Sequence, residues 1–297
     1  MVEIKEVATG IYRFESRLSV MTSLFTVYLI KESQGVVIDP GPAALVPQIR
    51  EAMKHLGLKD LAYIIPTHIH VDHAGGAGTL AQLFPKAKVL VHPTGLKHVV
   101  DPSRLIESTK SVFGTDFEAR FGPILPVPES QIKVPEDGET IVVGNRELKI
   151  IYAPGHAPHH IVILDRSVNG LFCGEALGIP GGSSRQFPLP AVAPPAFDQE
   201  LYLETMEKLR KLGAKTIFYS HDGVGKEADN LISIAAENTR LLGDLILKAL
   251  RDGEPTEAIK RRVTDYAASR FGVKFTEMDL MMTVGGYTVY FKKKGLA

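Results

Sequence analysis

A dense run of metal-binding side chains follows an apolar segment and limits the folds open to this chain. His68, His70, Asp72 and His73 lie within six residues, directly after the apolar segment 61–65. In an extended chain, side chains two residues apart point to the same side, so His68 and His70 can present two imidazole rings to one cation. If the chain then turns into a helix, Asp72 and His73 face a neighbouring point. Imidazole suits zinc, iron, copper and nickel, and a carboxylate adds an oxygen ligand. The run predicts one or two metal sites at the end of a strand.

The neighbouring residues favour this interpretation over a solvated turn on which histidines gather by chance. Gly75 and Gly76 follow the run directly, and an apolar strand precedes it. A pair of histidines without these neighbours would leave the solvated turn as the better explanation.

The hydrophobic pattern predicts strands that alternate with helices. The predicted strands are residues 11–14, 24–30, 36–38, 61–65, 88–91, 147–152, 161–164, 171–172 and 216–219. The predicted helices are residues 45–56, 77–84, 105–112, 201–212, 230–250 and 256–271. Such alternation indicates an α/β sandwich. We also expect a loop at residues 180–195, which are rich in Pro, Gly and Ser, and a last strand at residues 287–291.

The pattern changes after Asp222, where long helices replace the alternation of strands and helices. We therefore expect two parts, a catalytic domain of residues 1–222 and a C-terminal helical extension of residues 223–297 packed on it. The apolar face on the helix at residues 230–250 should pack on the core and also line the substrate pocket or form a subunit contact. A homo-oligomer is therefore one possibility.

Composition excludes several classes of partner. The chain has 34 basic and 34 acidic residues among 297, so it lacks the basic excess typical of nucleic-acid binding. Cys173 is the only cysteine, which rules out a disulfide within the chain. No apolar run approaches the roughly 20 residues that span a bilayer, and residues 1–6 lack an apolar signal core. We expect a cytoplasmic protein with a small-molecule substrate and neither a membrane nor nucleic acid as partner.

Four more metal-type side chains each follow a predicted strand. They are Asp39, His156, Glu175 and His221. In α/β sheets, sites form at the ends of strands, where loops converge. Each residue alone has an ordinary structural explanation, such as a histidine that satisfies a backbone carbonyl. Their shared placement, together with the histidine run, favours a common site.

These motifs together resemble those of the metallo-β-lactamase superfamily of metal-dependent hydrolases. The matching motifs are Asp39-Pro40-Gly41, the run from His68 to His73, Gly155-His156, Gly174-Glu175 and Ser220-His221. They occur in the family's order and spacing and extend over roughly residues 11–222. The resemblance implies a four-layer αβ/βα sandwich with the site between two sheets at one edge.

The resemblance also implies roles for the motif residues. His68, His70 and His156 would hold a first metal ion, and Asp72, His73 and His221 would hold a second. Asp39 would be the structural aspartate that supports the ligand loops without binding metal itself. Two divalent cations are expected, with zinc as the first choice and iron or manganese also suited to such ligands.

Glu175 departs from the family pattern. Most members with two metal ions have an aspartate at this position, and that aspartate bridges the ions. Glutamate is one methylene longer, so it could bridge the ions, bind one ion only or leave the second site weak. His159 and His160 follow His156 closely, and we expect them to support the ligands and not to bind metal.

The resemblance and the ligand set imply a hydrolase of a small ester, thioester or lactone, as in the glyoxalase II and lactonase branches. A divalent cation lowers the pKa of its bound water from about 16 to near 7, which makes hydroxide available, and Asp72 could orient it and carry a proton to the leaving group. A second hypothesis is an iron-dependent persulfide dioxygenase that uses His68, His156 and Glu175. A third is a metal-binding protein with little turnover.

Overall fold

The structure is a computed structural model that describes residues 2–18, 24–181 and 187–297. Within these residues the strands are β1 (Lys5–Ala8), β2 (Ile11–Ser16), β3 (Phe25–Ile30), β4 (Gly35–Ile38), β5 (Leu61–Ile65), β6 (Lys88–Leu90), β7 (Ile132–Lys133), β8 (Thr140–Val143), β9 (Arg146–Tyr152), β10 (Ile161–Asp165), β11 (Gly170–Gly174), β12 (Ile179–Gly181), β13 (Phe187–Leu189), β14 (Thr216–Tyr219) and β15 (Val224–Lys226). The helices are α1 (Val46–Leu56), α2 (Val71–Ala74), α3 (Ala77–Leu83), α4 (Leu96–Val100), α5 (Ser103–Phe113), α6 (Phe117–Phe121), α7 (Gln199–Arg210), α8 (Ala228–Arg251), α9 (Thr256–Phe271) and α10 (Glu277–Lys293).

These strands form two large sheets and a small ribbon. The first sheet has the order β1-β2-β3-β4-β5-β6-β7, and the second has the order β15-β14-β11-β10-β9-β8. Strands β1 to β4 pair antiparallel, whereas β4, β5, β6 and β7 run parallel. Parallel strands place their carboxyl ends at one edge of the sheet, and the loops after β4 and β5 therefore meet there.

The central strands β3 and β4 of the first sheet are buried on both faces. Along β3, Val27 and Leu29 belong to one apolar cluster, which includes residues of α1 and α3. Their neighbours Tyr28 and Ile30 belong to the other cluster, which includes residues of β8 to β11. Side chains alternate between the faces of a strand, so a strand covered on both faces must be apolar throughout. This explains why residues 25–30 form a continuous apolar segment with only Thr26 interrupting it.

The helices predicted from hydrophobic spacing are largely confirmed. Helix α9 has the predicted bounds, and α8 extends the predicted helix at residues 230–250 slightly at both ends. Helix α1 ends where Gly57 adopts a left-handed conformation with φ of 72°, which glycine allows at little cost. Among the described residues, no helix combines the length and apolar composition needed to cross a bilayer.

The described chain divides into two compact units. The first contains Met1–Tyr152, His159–Gly174 and Phe218–Val224, and the second contains Ala153–Pro158, Glu175–Ile217 and Gly225–Ala297. In the second unit α8, α9 and α10 pack on one another, and α8 also contacts α7 and β13. The apolar face predicted on α8 includes the buried residues Leu242, Ile246 and Ala249. The domain boundary after Asp222 stays a prediction.

The strand predicted at residues 287–291 is wrong, because this segment lies within helix α10. Its aromatic and β-branched residues favour a strand locally, but tertiary packing outweighs that preference. Leu280, Val284, Tyr287 and Phe291 are all buried, and their spacing of three to four residues places them on one side of a helix. The helix begins at a capping box in which the side chains of Thr276 and Asp279 each bond to the other residue's backbone N–H.

The prediction of a loop across residues 180–195 is also wrong in part. Strands β12 and β13 pair antiparallel within this segment, and Pro180 lies opposite Pro188. Proline is tolerated in a two-stranded ribbon because each strand has an edge that needs no backbone donor. The Asn238 side chain on α8 also donates a hydrogen bond of 2.9 Å to the Pro188 carbonyl. Residues 182–186 of the predicted loop lie outside the described residues.

The capping box of α10 leads to a stability prediction. We expect Thr276→Ala to lower the free energy of unfolding by about 1 kcal/mol, because the helix loses a side-chain acceptor for an N-terminal backbone N–H. Urea unfolding followed by circular dichroism measures the change. Thr256→Ala at the exposed first residue of α9 is the matched control and should have little effect. Equal losses in both variants would contradict the role of the cap.

Candidate metal centre

The histidine run bends sharply after β5. Residues 66–70 connect β5 to the short helix α2, and the His68 Nε2 and His70 Nδ1 atoms lie 2.9 Å apart. His70 has an extended conformation at the helix N-terminus, so Asp72 and His73 fall on the first turn of α2. Gly75 permits the close packing of this turn, since a Cβ atom there would lie 2.5 Å from the Val71 carbonyl oxygen. His68 and His70 therefore lie side by side as predicted, and Asp72 and His73 lie on the helical turn that follows.

Asp39 connects three of the ligand-bearing segments in the first unit. Its carboxylate accepts hydrogen bonds from the Thr67 backbone N–H at 2.6 Å, from the Thr67 hydroxyl at 3.0 Å and from the Ser220 hydroxyl. Its Oδ2 atom also lies 3.3 Å from His73 Nδ1. Thr67 and Ser220 directly precede His68 and His221, so one buried carboxylate holds both segments, through the Thr67 backbone and side chain and through the Ser220 hydroxyl. Asp39 has a φ of 45°, a conformation that aspartate and asparagine adopt more readily than most residues.

Asp72, His73 and His221 form a compact ligand set within the first unit. Each offers one ligand atom, and these atoms lie within 4.8 Å of one another. Asp72 Oδ2 is 3.5 Å from His73 Nε2 and 3.6 Å from His221 Nε2. Two atoms bound at zinc distances in a tetrahedral site are about 3.4 Å apart. The spacing therefore fits a divalent cation without a large rearrangement.

Burial and charge have opposite effects within this set. Burial by itself would raise the pKa of Asp72, but the adjacent His73 and His221 imidazoles hold that pKa well below its usual range. Burial would lower the pKa of His73, yet the carboxylates of Asp72 and Asp39 raise it well above its ordinary value. The imidazole that binds a metal is neutral, so a cation at this set must displace a proton.

His221 reaches this set from the end of β14. The segment is held against the start of β3, because Thr26 N–H donates to the Ser220 carbonyl at 2.8 Å and Phe25 forms a β-bridge with His221. The Phe25 and His221 rings are also in contact, with centroids 5.8 Å apart. A strand pairing between distant parts of the chain therefore fixes the position of this histidine.

His156 and Glu175 lie together in the second unit. The His156 Nε2 and Glu175 Oε2 atoms are 2.9 Å apart, and both residues are buried. His156 Nδ1 lies 2.9 Å from the Ala191 carbonyl oxygen and donates a hydrogen bond to it, since a carbonyl only accepts. That hydrogen bond fixes the tautomer and leaves Nε2 as the ligand atom. The His156 nitrogen and the Glu175 oxygen thus lie close enough together to bind the same cation.

His159 and His160 contact the histidine run in the first unit. The His160 ring is stacked on the His68 ring with centroids 4.8 Å apart. His159 Nδ1 accepts a hydrogen bond of 3.4 Å from the backbone N–H of Ile69, between His68 and His70. These contacts suit the supporting role expected for both residues.

His92 caps the turn at Pro93–Gly95 and packs against Tyr152, with ring centroids 4.2 Å apart.

Sequence reasoning missed the residues that hold the ligands in place. Thr67 and Ser220 could have been suspected, because each hydroxyl side chain directly precedes a candidate histidine. Ala191 and Tyr202 carry no such signal. Ala191 acts through its backbone carbonyl, and Tyr202 lies on α7 far along the chain from His156 and Glu175.

Comparison with known proteins gives a consistent result. The model of the metallo-beta-lactamase superfamily matches residues 26–221. A metallo-beta-lactamase fold-containing protein of Sulfurisphaera tokodaii is 29% identical over 203 residues, which are 67% of this chain and 73% of that protein. A hydroxyacylglutathione hydrolase of Blochmanniella pennsylvanica is 25% identical over 228 residues, which are 76% of this chain and 72% of that protein.

Solved structures agree on the fold. The crystal structure of a metallo-beta-lactamase family protein from Thermus thermophilus aligns with a TM-score of 0.72 and 20% identity. The alignment covers 98% of this chain and 95% of the other. At this level of identity the match concerns the fold alone.

Proposed function

This chain belongs to the metallo-β-lactamase superfamily, and on that premise we propose that it is a metal-dependent hydrolase of a small ester, thioester or lactone. The observation that carries the proposal is the set of buried histidine and carboxylate side chains whose ligand atoms lie at or near metal-binding spacing. Burying charged groups costs free energy unless they are paired or coordinate a metal ion, and metal binding by this set would offset that cost.

We assign the ligands to two cations. Asp72, His73 and His221 would hold one ion, because the separations of 3.5 Å and 3.6 Å from Asp72 Oδ2 to the two imidazoles lie close to the roughly 3.4 Å expected in a tetrahedral site. His68, His70 and His156 would hold the other, with Glu175 beside His156. The nitrogen and oxygen donors of both sets suit zinc, and iron or manganese would also be accepted.

The thioester class has additional support from the relatives. Several of them, including those from Blochmanniella pennsylvanica and Idiomarina loihiensis, are hydroxyacylglutathione hydrolases that are 25% and 26% identical to this chain. A hydroxyacylglutathione is a thioester of a small acid. Esters and lactones share its acyl carbon, which an activated water attacks in the same way. We therefore propose a substrate with a small acyl group and do not specify its leaving group.

Bound at these residues, divalent cations would activate water at neutral pH and polarise a carbonyl oxygen. Asp72 is the most exposed member of its set, with 14% of its side chain accessible compared with 0% for His73 and 1% for His221. We propose that Oδ2 of its carboxylate binds the ion, while Oδ1 orients the attacking water, accepts a proton and passes it to the leaving group. The imidazole rings of His73 and His221 flank that carboxylate and restrict its rotation. The Asp39 carboxylate contacts His73 at Nδ1, on the side of the ring away from Asp72.

Metal removal tests the proposal. We expect the protein purified without added metal to contain about two zinc ions per chain by elemental analysis, and to hydrolyse an acylglutathione thioester, a p-nitrophenyl ester or a lactone. Dialysis against a strong chelator should abolish that activity, and added zinc should restore it. The expected loss is about 10³-fold or more, because metal ions contribute several kcal/mol to the barrier. Hydrolysis that persists without metal would contradict the proposal.

Metal content and substrate turnover also distinguish the hydrolase from the dioxygenase and from the binding protein. One iron per chain, with oxygen consumption when glutathione persulfide is added, would favour the dioxygenase that uses His68, His156 and Glu175. Bound zinc without turnover of any of these substrates would favour a binding protein. The presence of Asp72, His73 and His221 as a complete second set favours hydrolysis over the mononuclear iron chemistry.

A further inference from the structure

The hydroxyl of Tyr202 lies at the centre of the contacts that surround His156 and Glu175. Tyr202 is on the first turns of α7 and is fully buried in the second unit. Its hydroxyl donates a hydrogen bond of 2.7 Å to the Glu175 backbone carbonyl. It also accepts a hydrogen bond of 3.4 Å from the Ala191 backbone N–H. One phenol oxygen thus contacts two loop segments that lie far apart in the sequence.

These contacts close a ring through the candidate ligands. The Ala191 carbonyl accepts a hydrogen bond from His156 Nδ1–H at 2.9 Å. His156 Nε2 lies 2.9 Å from Glu175 Oε2, and the Glu175 carbonyl returns to the Tyr202 hydroxyl. Each member of the ring is held by its two neighbours. A change at the Tyr202 hydroxyl therefore affects both sides of the ligand pair.

Helix α7 is fixed firmly against the loop that carries His156. Asp198 N–H donates to the Gly155 carbonyl at 2.9 Å, and the Thr205 hydroxyl donates to the Pro154 carbonyl at 2.6 Å. Gly155 allows the approach, because a Cβ atom there would lie 2.4 Å from Tyr202 Cα. These contacts fix the Tyr202 backbone against the loop that carries His156, and the two hydrogen bonds of its hydroxyl fix the other end of the side chain.

We propose that Tyr202 is a positioning residue that sets the geometry of His156 and Glu175 for metal binding. The inference rests on the proposed function, in which these two side chains bind a metal ion. Glutamate has one more rotatable bond than the aspartate usual at this position in the family, and each free rotor costs entropy when a ligand is ordered. The hydrogen bond to the Glu175 carbonyl fixes the backbone from which that side chain extends, and the tautomer fixed at His156 leaves Nε2 as its ligand atom before the cation arrives.

Tyr202→Phe tests the proposal, because it removes the hydroxyl and keeps the ring. We expect zinc affinity, measured by competition with a chromophoric chelator, to fall about 10-fold, the lower end of the range for groups that orient metal ligands. The visible absorption of the cobalt-substituted protein should also change, since it reports ligand geometry. Tyr287→Phe is the matched control: that buried hydroxyl donates to the Thr239 carbonyl at 2.7 Å in the same unit, away from the ligand pair.

The outcomes are distinct. The inference holds if Tyr287→Phe keeps parental zinc affinity and cobalt spectrum while Tyr202→Phe changes both. Parental values in Tyr202→Phe overturn the inference, and so do equal changes in both variants, which would indicate a general effect of losing a buried hydroxyl. If His156→Ala still lowers zinc affinity in either of those cases, the proposed function stands without the inference. A parent protein that binds no zinc overturns both.

Discussion

We expect His68→Ala and His156→Ala each to lose metal and to reduce hydrolysis by about 10³-fold or more, since metal ions contribute several kcal/mol to such reactions. Each substitution removes one imidazole from a set that offers three nitrogens and a carboxylate in our proposal. A catalytic zinc site with three protein ligands tolerates such a loss poorly. Metal content by elemental analysis and the rate of thioester or ester hydrolysis measure the effect.

The fold should survive both substitutions. The apolar clusters on the two faces of the first sheet supply the packing of the first unit, and neither includes a candidate ligand. His55→Ala on the exposed side of α1 is the matched control, since it removes an imidazole that is not one of the candidate ligands. Circular dichroism and urea unfolding show whether the variants remain folded. Unchanged metal content in folded His68→Ala or His156→Ala would refute the ligand assignment.

Asp39→Asn should weaken metal binding by roughly 10-fold to 100-fold without touching a proposed ligand, the range observed when groups that orient ligands are removed. The asparagine oxygen can still accept from the Thr67 backbone N–H, but the Thr67 and Ser220 hydroxyls would have to accept from the amide where they now donate to a carboxylate. The attraction to His73 also weakens, because the carboxylate charge is lost. Hydrogen bonds to a charged group are stronger than neutral ones, so the free energy of unfolding should fall by about 1–3 kcal/mol.

Asparagine is the right substitution because it tolerates the backbone of Asp39. A φ of 45° would strain alanine, whereas asparagine adopts this region more readily than most residues. Asp244→Asn on the exposed side of α8 is the control for loss of a carboxylate charge. Zinc competition and urea unfolding give the two readouts. Zinc affinity within about twofold of the parent, a difference of roughly 0.4 kcal/mol, would mean that Asp39 does not organise the site.

The supporting contacts divide between the two units in a regular way. In the first unit Asp39 accepts from the Thr67 backbone N–H before His68 and from the Ser220 hydroxyl before His221, and in the second Tyr202 holds the backbone of Glu175 and Ala191. In both cases the anchor acts through the chain beside a candidate ligand and leaves the ligand atom itself available. Mutation of such outer groups commonly lowers metal affinity by about 10-fold to 100-fold. The two substitutions proposed at these anchors therefore test the same principle independently.

Much of the architecture could be predicted because it depends on local patterns. The alternation of apolar strands and amphipathic helices indicated an α/β sandwich, and the superfamily fold is confirmed by the match over residues 26–221. Helix α9 was predicted with its observed bounds, because its apolar spacing and the glycine that follows Phe271 are both visible in the sequence. The adjacency of His68 and His70 followed from the side-chain direction of an extended His-x-His segment, whereas the helical turn α2 after it was stated only as a condition.

The tertiary structure decided the features that local pattern contradicts or cannot encode. Residues 287–291 have strand-like composition, yet they form part of α10, because burial of one helical face outweighs a weak local preference. The Asp39 carboxylate binds the Ser220 hydroxyl 181 residues away, and the Tyr202 hydroxyl reaches the Glu175 carbonyl across 27 residues. Sequence alone determined which side chains could bind a metal, since that depends on their chemistry. Which backbone groups hold them depends on packing between distant segments, and only the folded chain brings those segments together.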